Sequence, residues 1–116
     1  MPQQRRIYQI AEKIRAGIAL KLARIADPRL ELVTITSVVV SPDLRQAKVY
    51  WMASGDKQRL EDIGTAFKGA SGMFRRAIAG DLGLRSVPEL KFFYDDTLDT
   101  CEEVERLMSK IGDGVK

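Results

Sequence analysis

The chain has 116 residues, of which 45% are hydrophobic and 30% charged, and it carries a formal net charge of +3. This length fits one globular domain, and the absence of histidine together with a single cysteine, Cys101, excludes histidine catalysis, an internal disulfide and a cysteine-rich zinc cluster. No apolar run approaches the roughly 18 residues of a membrane span, and the first residues lack the apolar stretch of a signal peptide. We therefore expect a cytoplasmic protein with one domain over residues 1–112 and a frayed tail over residues 113–116.

The charge is unevenly distributed. Residues 1–26 contain six basic residues and one acidic residue, whereas residues 92–116 contain seven acidic and three basic residues. A basic surface on one part of a domain favours a polyanionic partner, although many surface cations serve only solubility.

The first predicted element is a helix over residues 5–26. Proline disfavours the helical conformation in the residue before it, so Asp27-Pro28 ends this helix. Arg6, Lys13 and Arg24 share a stripe about 100° away from the apolar face. That apolar face is formed by Ile7, Ile10, Ala11, Ile14, Ile18, Leu22 and Ile25, which recur at steps of three and four.

Two strands are predicted next, over residues 32–40 and 46–53. The first is rich in β-branched residues, and the second alternates between apolar and polar positions. Ser41-Pro42-Asp43 between them is a turn signal, so the two strands are expected to pair as an antiparallel hairpin. A third strand is predicted over residues 90–94, with Leu90, Phe92 and Tyr94 on one face.

Helical spacing begins again near Lys57 and is interrupted by Gly69-Ala70-Ser71-Gly72. Each glycine inside a helix costs about 1 kcal/mol relative to alanine, so a kink or a tight joint between two helices is expected here. The second of these helices runs to Leu82 and ends at Gly83. A last helix, capped by Thr97 or Asp99, carries the apolar stripe Cys101, Val104, Leu107, Met108 and Ile111.

This order of elements predicts an α+β two-layer sandwich with helices on one face of a three-stranded sheet. The other face of that sheet must be solvated, covered or used for binding.

The glycine joint has two interpretations. A Gly-x-x-Gly turn between helices is how KH modules hold a nucleic-acid backbone, and Lys68, Arg75 and Arg76 would add positive charge for the same phosphates. Alternatively, the glycines form a packing kink that lets two helices lie close together. Both interpretations remain open from the residues alone.

Seven short stretches of the chain form a distinctive set through their order and spacing. They are Asp27-Pro28-Arg29-Leu30, Val33-Thr34-Ile35-Thr36, Ser41-Pro42-Asp43-Leu44, Ala47-Lys48-Val49-Tyr50, Ala70-Ser71-Gly72 with Arg75, Leu84-Arg85, and Pro88-Glu89-Leu90 with Phe92. Together they resemble the ribosome-binding factor A family of bacterial small-subunit assembly factors. The resemblance runs from about Arg5 to Leu98, and no family motif follows it.

The resemblance implies a type II KH-like fold, in which an Ala-x-Gly kink, here Ala70-Ser71-Gly72, replaces the open Gly-x-x-Gly loop. It also implies a non-enzymatic factor that binds the immature small (30S) ribosomal subunit and its 16S rRNA, and that assists late maturation, 5′-end processing and growth in the cold. With it we expect a monomer with no cofactor, no metal, no catalytic residue, no small-molecule substrate and no membrane partner. The predicted RNA-binding residues are Arg6, Lys13, Arg24, Arg29, Arg45, Lys68, Arg75, Arg76 and Arg85.

One alternative function remains. The chain could be a protein-interaction adaptor that uses a sheet edge or the acidic last helix, with its cations serving solubility.

Among the strand aromatics, most of which are expected in the core, Tyr50 and Phe93 are the better candidates for stacking on bases, because their strand neighbours Lys48 and Lys91 indicate a partly solvated face.

Overall fold

The computed structural model describes residues 2–83 and 86–97, which form two long helices and three strands. In chain order these are α1 (Pro2–Arg24), a short 3-10 turn (Pro28–Leu30), β1 (Thr34–Val40), β2 (Gln46–Met52), α2 (Lys57–Leu82) and β3 (Glu89–Tyr94). The predicted last helix, with Cys101 and the domain boundary at residue 112, lies outside the described residues, apart from its first position at Thr97.

The three strands form one mixed sheet in the order β1-β2-β3. β1 and β2 are antiparallel, as the turn signal predicted, with Val40 opposite Ala47. β3 runs parallel to β2, with Leu90 beside Ala47 and Tyr94 beside Trp51. A parallel neighbour needs a long crossover connection, and α2 provides it.

A bulge near the start of β1 changes which residues face the core. Ile35 lies opposite Trp51, whereas the next pair is Ser37 with Tyr50, so Thr36 is an extra residue in β1. Without this extra residue the strand would keep strict alternation from Ile35, and Val38 and Val40 would point away from the core.

Both helices pack on one face of the sheet, which confirms the predicted α+β sandwich. Ile14 and Ile18 of α1 are fully buried in the core, as their spacing predicted. At the centre, the rings of Phe67 and Phe92 stack with centroids 4.6 Å apart and planes 10° apart. Aromatic rings in this offset arrangement add to the stabilisation that their burial provides.

The two helices predicted around the glycine joint are one helix. α2 continues through residues 69–72 without interruption, so an open Gly-x-x-Gly loop is wrong for this chain. The physical reason lies in Ile63, Phe67, Phe74 and Ile78, all of which are buried. Burying each such side chain is worth about 1.5–3 kcal/mol, which exceeds the cost of about 1 kcal/mol per glycine.

The ends of α2 follow ordinary capping rules. The Asp56 carboxylate accepts a hydrogen bond of 2.8 Å from the backbone N–H of Arg59. Gly83 ends the helix in the left-handed conformation, with φ 62°, as the sequence predicted. No helix in the described part of the chain combines the length and apolarity needed to cross a bilayer.

Candidate nucleic-acid interface

An open cleft of about 980 Å³ brings together residues from four segments of the chain. Arg6 comes from the start of α1, Arg45 from the turn before β2, and Arg75 from the middle of α2. We call it the arginine cleft. Its full lining is Arg6, Asp43, Leu44, Arg45, Ser71, Gly72, Arg75, Gly83, Ser86, Val87, Glu89 and Leu90.

The turn between β1 and β2 holds Arg45 at the cleft by its backbone. The Asp43 carboxylate accepts hydrogen bonds from the Ser41 hydroxyl at 2.6 Å and from the Arg45 N–H at 3.1 Å. These bonds lower the pKa of Asp43, so its carboxyl group stays ionised. The Arg45 carbonyl accepts a bond of 2.8 Å from the N–H of Glu89 at the start of β3. Across the described residues, the side chains of Arg6 and Arg45 have neither a hydrogen bond nor an ion pair.

Arg75 joins α2 to the segment that precedes β3. Its Nε and Nη2 atoms donate to the Val87 carbonyl at 3.1 and 2.6 Å. A carbonyl is a neutral acceptor, so this contact does not neutralise the guanidinium, which has three N–H donors besides the two that it uses here. Arg75 therefore positions the cleft wall and also contributes charge to it.

Residues 69–72 of α2 are two glycines, an alanine and a serine, so the helix surface has only small side chains there. A Cβ atom added to Gly69 would meet nothing within 4 Å, and one added to Gly72 would lie 3.6 Å from Nη1 of Arg76. Close packing between helices therefore does not require either glycine. The Ser71 hydroxyl is satisfied by the Lys68 carbonyl at 3.2 Å, and Ala70 packs against the core.

A second groove, of about 520 Å³, follows the outer edge of β3 and contains the predicted residue Lys68. We call it the edge groove. It shares Ser71, Glu89 and Leu90 with the arginine cleft, so the two cavities are adjacent. Its full lining is Gly64, Lys68, Ser71, Glu89, Leu90, Lys91, Phe92 and Phe93.

Three of the other predicted RNA-binding residues, Lys13, Arg24 and Arg76, are not among the residues that line these two cavities. Lys13 and Arg24 lie on α1, and Arg24 is about 27 Å along the helix axis from Arg6. Arg76 is exposed one position beyond Arg75 on α2, and Arg85 lies outside the described residues. The structure thus brings Arg6, Arg45 and Arg75 together, with Lys68 in the adjoining groove.

Arg29 is held by a neighbouring acid. Its Nη2 atom lies 2.9 Å from Oδ2 of Asp27, and its Nε atom donates to Oδ1 at 3.1 Å. The same Oδ1 atom accepts the backbone N–H of Arg29 and caps the short 3-10 turn. The side-chain bond and the backbone bond from Arg29 both lower the pKa of Asp27. The Arg29 guanidinium is therefore already paired with a carboxylate of the same chain.

Sequence reasoning missed the carboxylates in the cleft wall. Asp43 and Glu89 line the same cavity as the three arginines, so the lining contains three guanidinium groups and two carboxylates. The Ser-x-Asp spacing at Ser41 and Asp43 is a recognisable turn signal that places the Asp43 side chain next to Arg45. Within the part of the chain that the structure describes, no cluster of three acidic or cysteine side chains is placed to hold a metal ion.

Comparison with known proteins identifies the family. The model of the ribosome-binding factor A family matches residues 6–108. The chain belongs to this family. It is 43% identical over 94 residues to ribosome-binding factor A of Desulfatibacillum aliphaticivorans, and the match covers 81% of this chain and 76% of that one. It is 42% identical over 112 residues to the protein of Thermomicrobium roseum, and the match covers 96% of this chain and 86% of that one.

Solved structures of the family share the fold. The crystal structure of ribosome-binding factor A from Thermus thermophilus matches with a TM-score of 0.69 at 25% identity, over 76% of this chain and 93% of that one. The Thermotoga maritima NMR structure of a putative ribosome-binding factor A gives a TM-score of 0.69 at 31% identity, over 74% and 83% of the two chains. A homology model of the Thermus thermophilus protein, fitted into a cryo-EM map of its complex with the 30S subunit, gives 0.62 at 26% identity, over 73% and 90%. These matches confirm the predicted KH-like fold.

Proposed function

We propose that the protein is a non-enzymatic ribosome assembly factor. It binds the immature small subunit and its 16S rRNA in the cytoplasm, acts as a monomer without a cofactor, and assists late maturation and 5′-end processing. In this proposal it also supports growth in the cold, when RNA refolds slowly. The support comes from family membership, from the relative fitted into a 30S complex, and from the geometry of the arginine cleft.

One observation carries the proposal: Arg6, Arg45 and Arg75 come from three different elements and line one open cavity. A guanidinium group is planar and always charged, and it forms paired hydrogen bonds with phosphate oxygens. Neither Arg6 nor Arg45 is bound through its side chain to another group in the described residues. Their charge and their donors are therefore available to an RNA backbone.

The two carboxylates in the cleft wall restrict how RNA approaches. Asp43 stays ionised because its hydrogen bonds lower its pKa, and Glu89 is exposed in the same wall. A phosphate placed against either group would be repelled. The cleft therefore favours an RNA whose phosphates lie beside the three guanidinium groups and away from the two carboxylates. It does not favour every polyanion equally.

Gly72 adds a second feature that favours a nucleic-acid backbone. It lines the cleft and is exposed on α2, directly after Ser71. With no side chain on Gly72, a ligand reaches the helix surface more closely there than a Cβ atom would permit. We propose that a sugar-phosphate segment lies against this stretch of α2, between Arg45 and Arg75.

The proposal is tested with the double variant Arg6→Glu/Arg45→Glu. We expect binding to purified immature small subunits to weaken at least tenfold, because two phosphate contacts become repulsions. Sedimentation through sucrose gradients measures the bound fraction. Arg75 is left unchanged because its bonds to the Val87 carbonyl hold the cleft wall. A variant without them could lose binding because the cleft is distorted, and not because a phosphate contact is lost.

The matched control is Arg5→Glu/Lys57→Glu, which makes the same change in net charge at exposed positions outside both cavities. This control is expected to bind like the wild type, and both variants should unfold at the wild-type temperature. Equal binding by the cleft variant and the wild type would exclude the arginine cleft as the contact surface. Retention on a partner that persists after nuclease treatment would favour a protein-interaction adaptor instead.

The role in maturation is tested in cells that lack the protein. We expect precursor 16S rRNA with an unprocessed 5′ end to accumulate, most strongly in the cold. The control variant should restore processing and the cleft variant should not. If cells without the protein process the 5′ end normally at all temperatures, the maturation role is wrong even where subunit binding is real.

A further inference from the structure

The face of the sheet that points away from the helices carries an organised set of side chains. Cross-strand pairing places Ser37 opposite Tyr50 and Val39 opposite Lys48, and it places Lys91 and Phe93 beside Lys48 and Tyr50. We call this surface the open face. Its residues are Thr34, Ser37, Val39, Gln46, Lys48, Tyr50, Met52, Glu89, Lys91 and Phe93.

Two aromatic rings lie side by side on the open face. Tyr50 and Phe93 are direct partners between β2 and β3, and their ring centroids are 5.8 Å apart with planes 34° apart. Phe93 is 42% exposed. The aromatic residues on the opposite face of the same strands, Trp51 and Phe92, pack in the core. Core packing therefore does not account for Tyr50 and Phe93.

Two lysines lie directly opposite each other next to these rings. Lys48 and Lys91 are register partners between β2 and β3, and both are exposed. Neither has an ion pair with any described residue. Like charges at directly opposite positions destabilise a sheet. An anion bound between or beside the two ammonium groups would remove that repulsion.

We propose that the open face binds unpaired RNA nucleotides, with bases stacked on Phe93 and Tyr50 and phosphates at Lys48 and Lys91. Aromatic rings that stack bases beside cations that hold the backbone are the basis of single-strand binding, and every base has a face suited to stacking. That the strand is RNA rests on the proposed function; the chemistry of the surface requires only a single-stranded nucleic acid.

The open face adjoins the cavities of the candidate interface. Lys91 and Phe93 belong to the open face and also line the edge groove. The edge groove in turn shares Ser71 and Glu89 with the arginine cleft. The edge groove therefore lies between the arginine cleft and the open face, and it is the path that we propose for a single strand that contacts both.

The test uses the full chain and a fluorescein-labelled oligouridine of about ten nucleotides, a length that covers one single-strand site. The variant is Tyr50→Leu/Phe93→Leu, which keeps an apolar side chain at each position and removes both rings. We expect its affinity, measured by fluorescence anisotropy, to fall about tenfold, because stacking of each base is a large contribution. The matched control is Tyr8→Leu, which removes a ring that is 67% exposed on α1 and should change affinity less than about twofold, since no stacking site is proposed there.

A second probe separates stacking from charge. An oligonucleotide of the same length with abasic sites keeps its phosphates and loses its bases. It should bind the wild type about as weakly as oligouridine binds the leucine variant. Equal affinity of the wild type for both probes, or of the leucine variant and the wild type for oligouridine, would overturn the inference. Circular dichroism checks that both variants keep the fold.

This result is independent of the test of the proposed function. If the Arg6→Glu/Arg45→Glu variant loses subunit binding while the leucine variant keeps its affinity for oligouridine, the open-face inference fails and the proposed function stands. If the cleft variant keeps subunit binding while the leucine variant loses oligouridine, the open face stands and the cleft is the wrong surface.

NMR distinguishes RNA from other occupants of the open face. Oligouridine is expected to shift the Phe93 ring protons upfield, as a stacked base does. If these protons instead shift with protein concentration, a second copy of the chain occupies the face. If they shift when Glu102→Gln and Glu103→Gln are introduced without RNA, the acidic segment after Thr97 occupies it. Either of the last two results overturns the inference.

Discussion

The hydroxyl of Thr36 links two strands that are not neighbours in the sheet. It donates to the carboxylate of Asp95 at 2.6 Å, and its oxygen lies 3.3 Å from the Tyr50 carbonyl oxygen. The bulge of β1 is therefore tied to the residue that follows β3. Asp95 also accepts the backbone N–H of Thr97 at 3.0 Å. The helix that Thr97 or Asp99 was expected to cap lies outside the described residues, apart from Thr97 itself. The bond from the Thr97 N–H joins it to a residue two positions earlier, and the contact between Asp95 and Thr36 depends on a bulge that no residue pattern in β1 predicts.

The first prediction concerns the acid stability conferred by Asp95. The hydrogen bond from Thr36, followed by those from Thr97, lowers the pKa of this carboxyl group. A lowered pKa in the folded state favours the ionised form, so the contribution to stability is present above the unfolded-state pKa of about 3.9 and is lost as pH falls through the folded-state value. Asp95→Asn should therefore lower the unfolding temperature at neutral pH, and its difference from the wild type should shrink below about pH 4.

Thermal unfolding followed by circular dichroism, from neutral pH down to about pH 2.5, covers the range in which this difference should disappear. Asp96→Asn, at the adjacent exposed position, is the matched control and should unfold like the wild type throughout. Thr36→Val removes the hydroxyl donor and should reduce the pH dependence in the same way as Asp95→Asn. A constant gap between wild type and Asp95→Asn across the whole range would contradict the assigned role.

At the scale of the helices, the spacing of the apolar residues indicates that α2 is one continuous helix, whereas its glycines suggested two helices with a joint between them. Phe67 and Phe74 are seven residues apart, which is close to two helical turns, so the buried stripe passes through the glycine segment in phase. Continuous phase is therefore evidence for one helix, and it could have been used from the sequence. The sequence could not predict where the two helices come into close contact, which is at Gly17. A Cβ atom there would lie 2.7 Å from Cγ2 of Ile78, and which residue of α1 meets α2 depends on the crossing of the two helices.

The second prediction contrasts two glycine-to-alanine changes in helices. Gly69→Ala should stabilise the fold by about 1 kcal/mol, because helix propensity improves and the added Cβ meets nothing within 4 Å. Gly17→Ala should destabilise it by about 1–2 kcal/mol, because the methyl group overpacks against a buried, β-branched side chain. Urea unfolding measures both changes. Gly80→Ala, also in open space on α2, is the control and should behave like Gly69→Ala. If Gly17→Ala instead stabilises the protein, α1 moves away from Ile78 without a loss of stability, and the predicted overpacking is wrong.

At the scale of the whole molecule, the parallel placement of β3 creates the candidate interface. The backbone N–H of Glu89 bonds to the Arg45 carbonyl, and the side chain of Arg75 bonds to the Val87 carbonyl, so the segment before β3 connects the turn to α2. Sequence reasoning selected Arg6, Arg45 and Arg75 individually from composition and the family resemblance. It could not separate them from Lys13 or Arg24, because the three meet only when α1 packs on β1 and α2 and when β3 pairs with β2. That these residues bind RNA stays a prediction.

The last prediction uses salt to separate the cleft from the open face. With a net charge of only +3, long-range attraction to RNA is modest, so local phosphate contacts dominate the dependence of affinity on salt. Each contacted phosphate adds about 0.7–0.9 to the slope of log affinity against log salt concentration. Arg45→Ala should lower that slope by about one such increment for immature small subunits. Tyr50→Leu/Phe93→Leu should weaken binding without changing the slope, because stacking releases no counterions. Titrations between about 50 and 300 mM KCl measure both slopes, and a wild-type slope for Arg45→Ala would mean that its guanidinium contacts no phosphate.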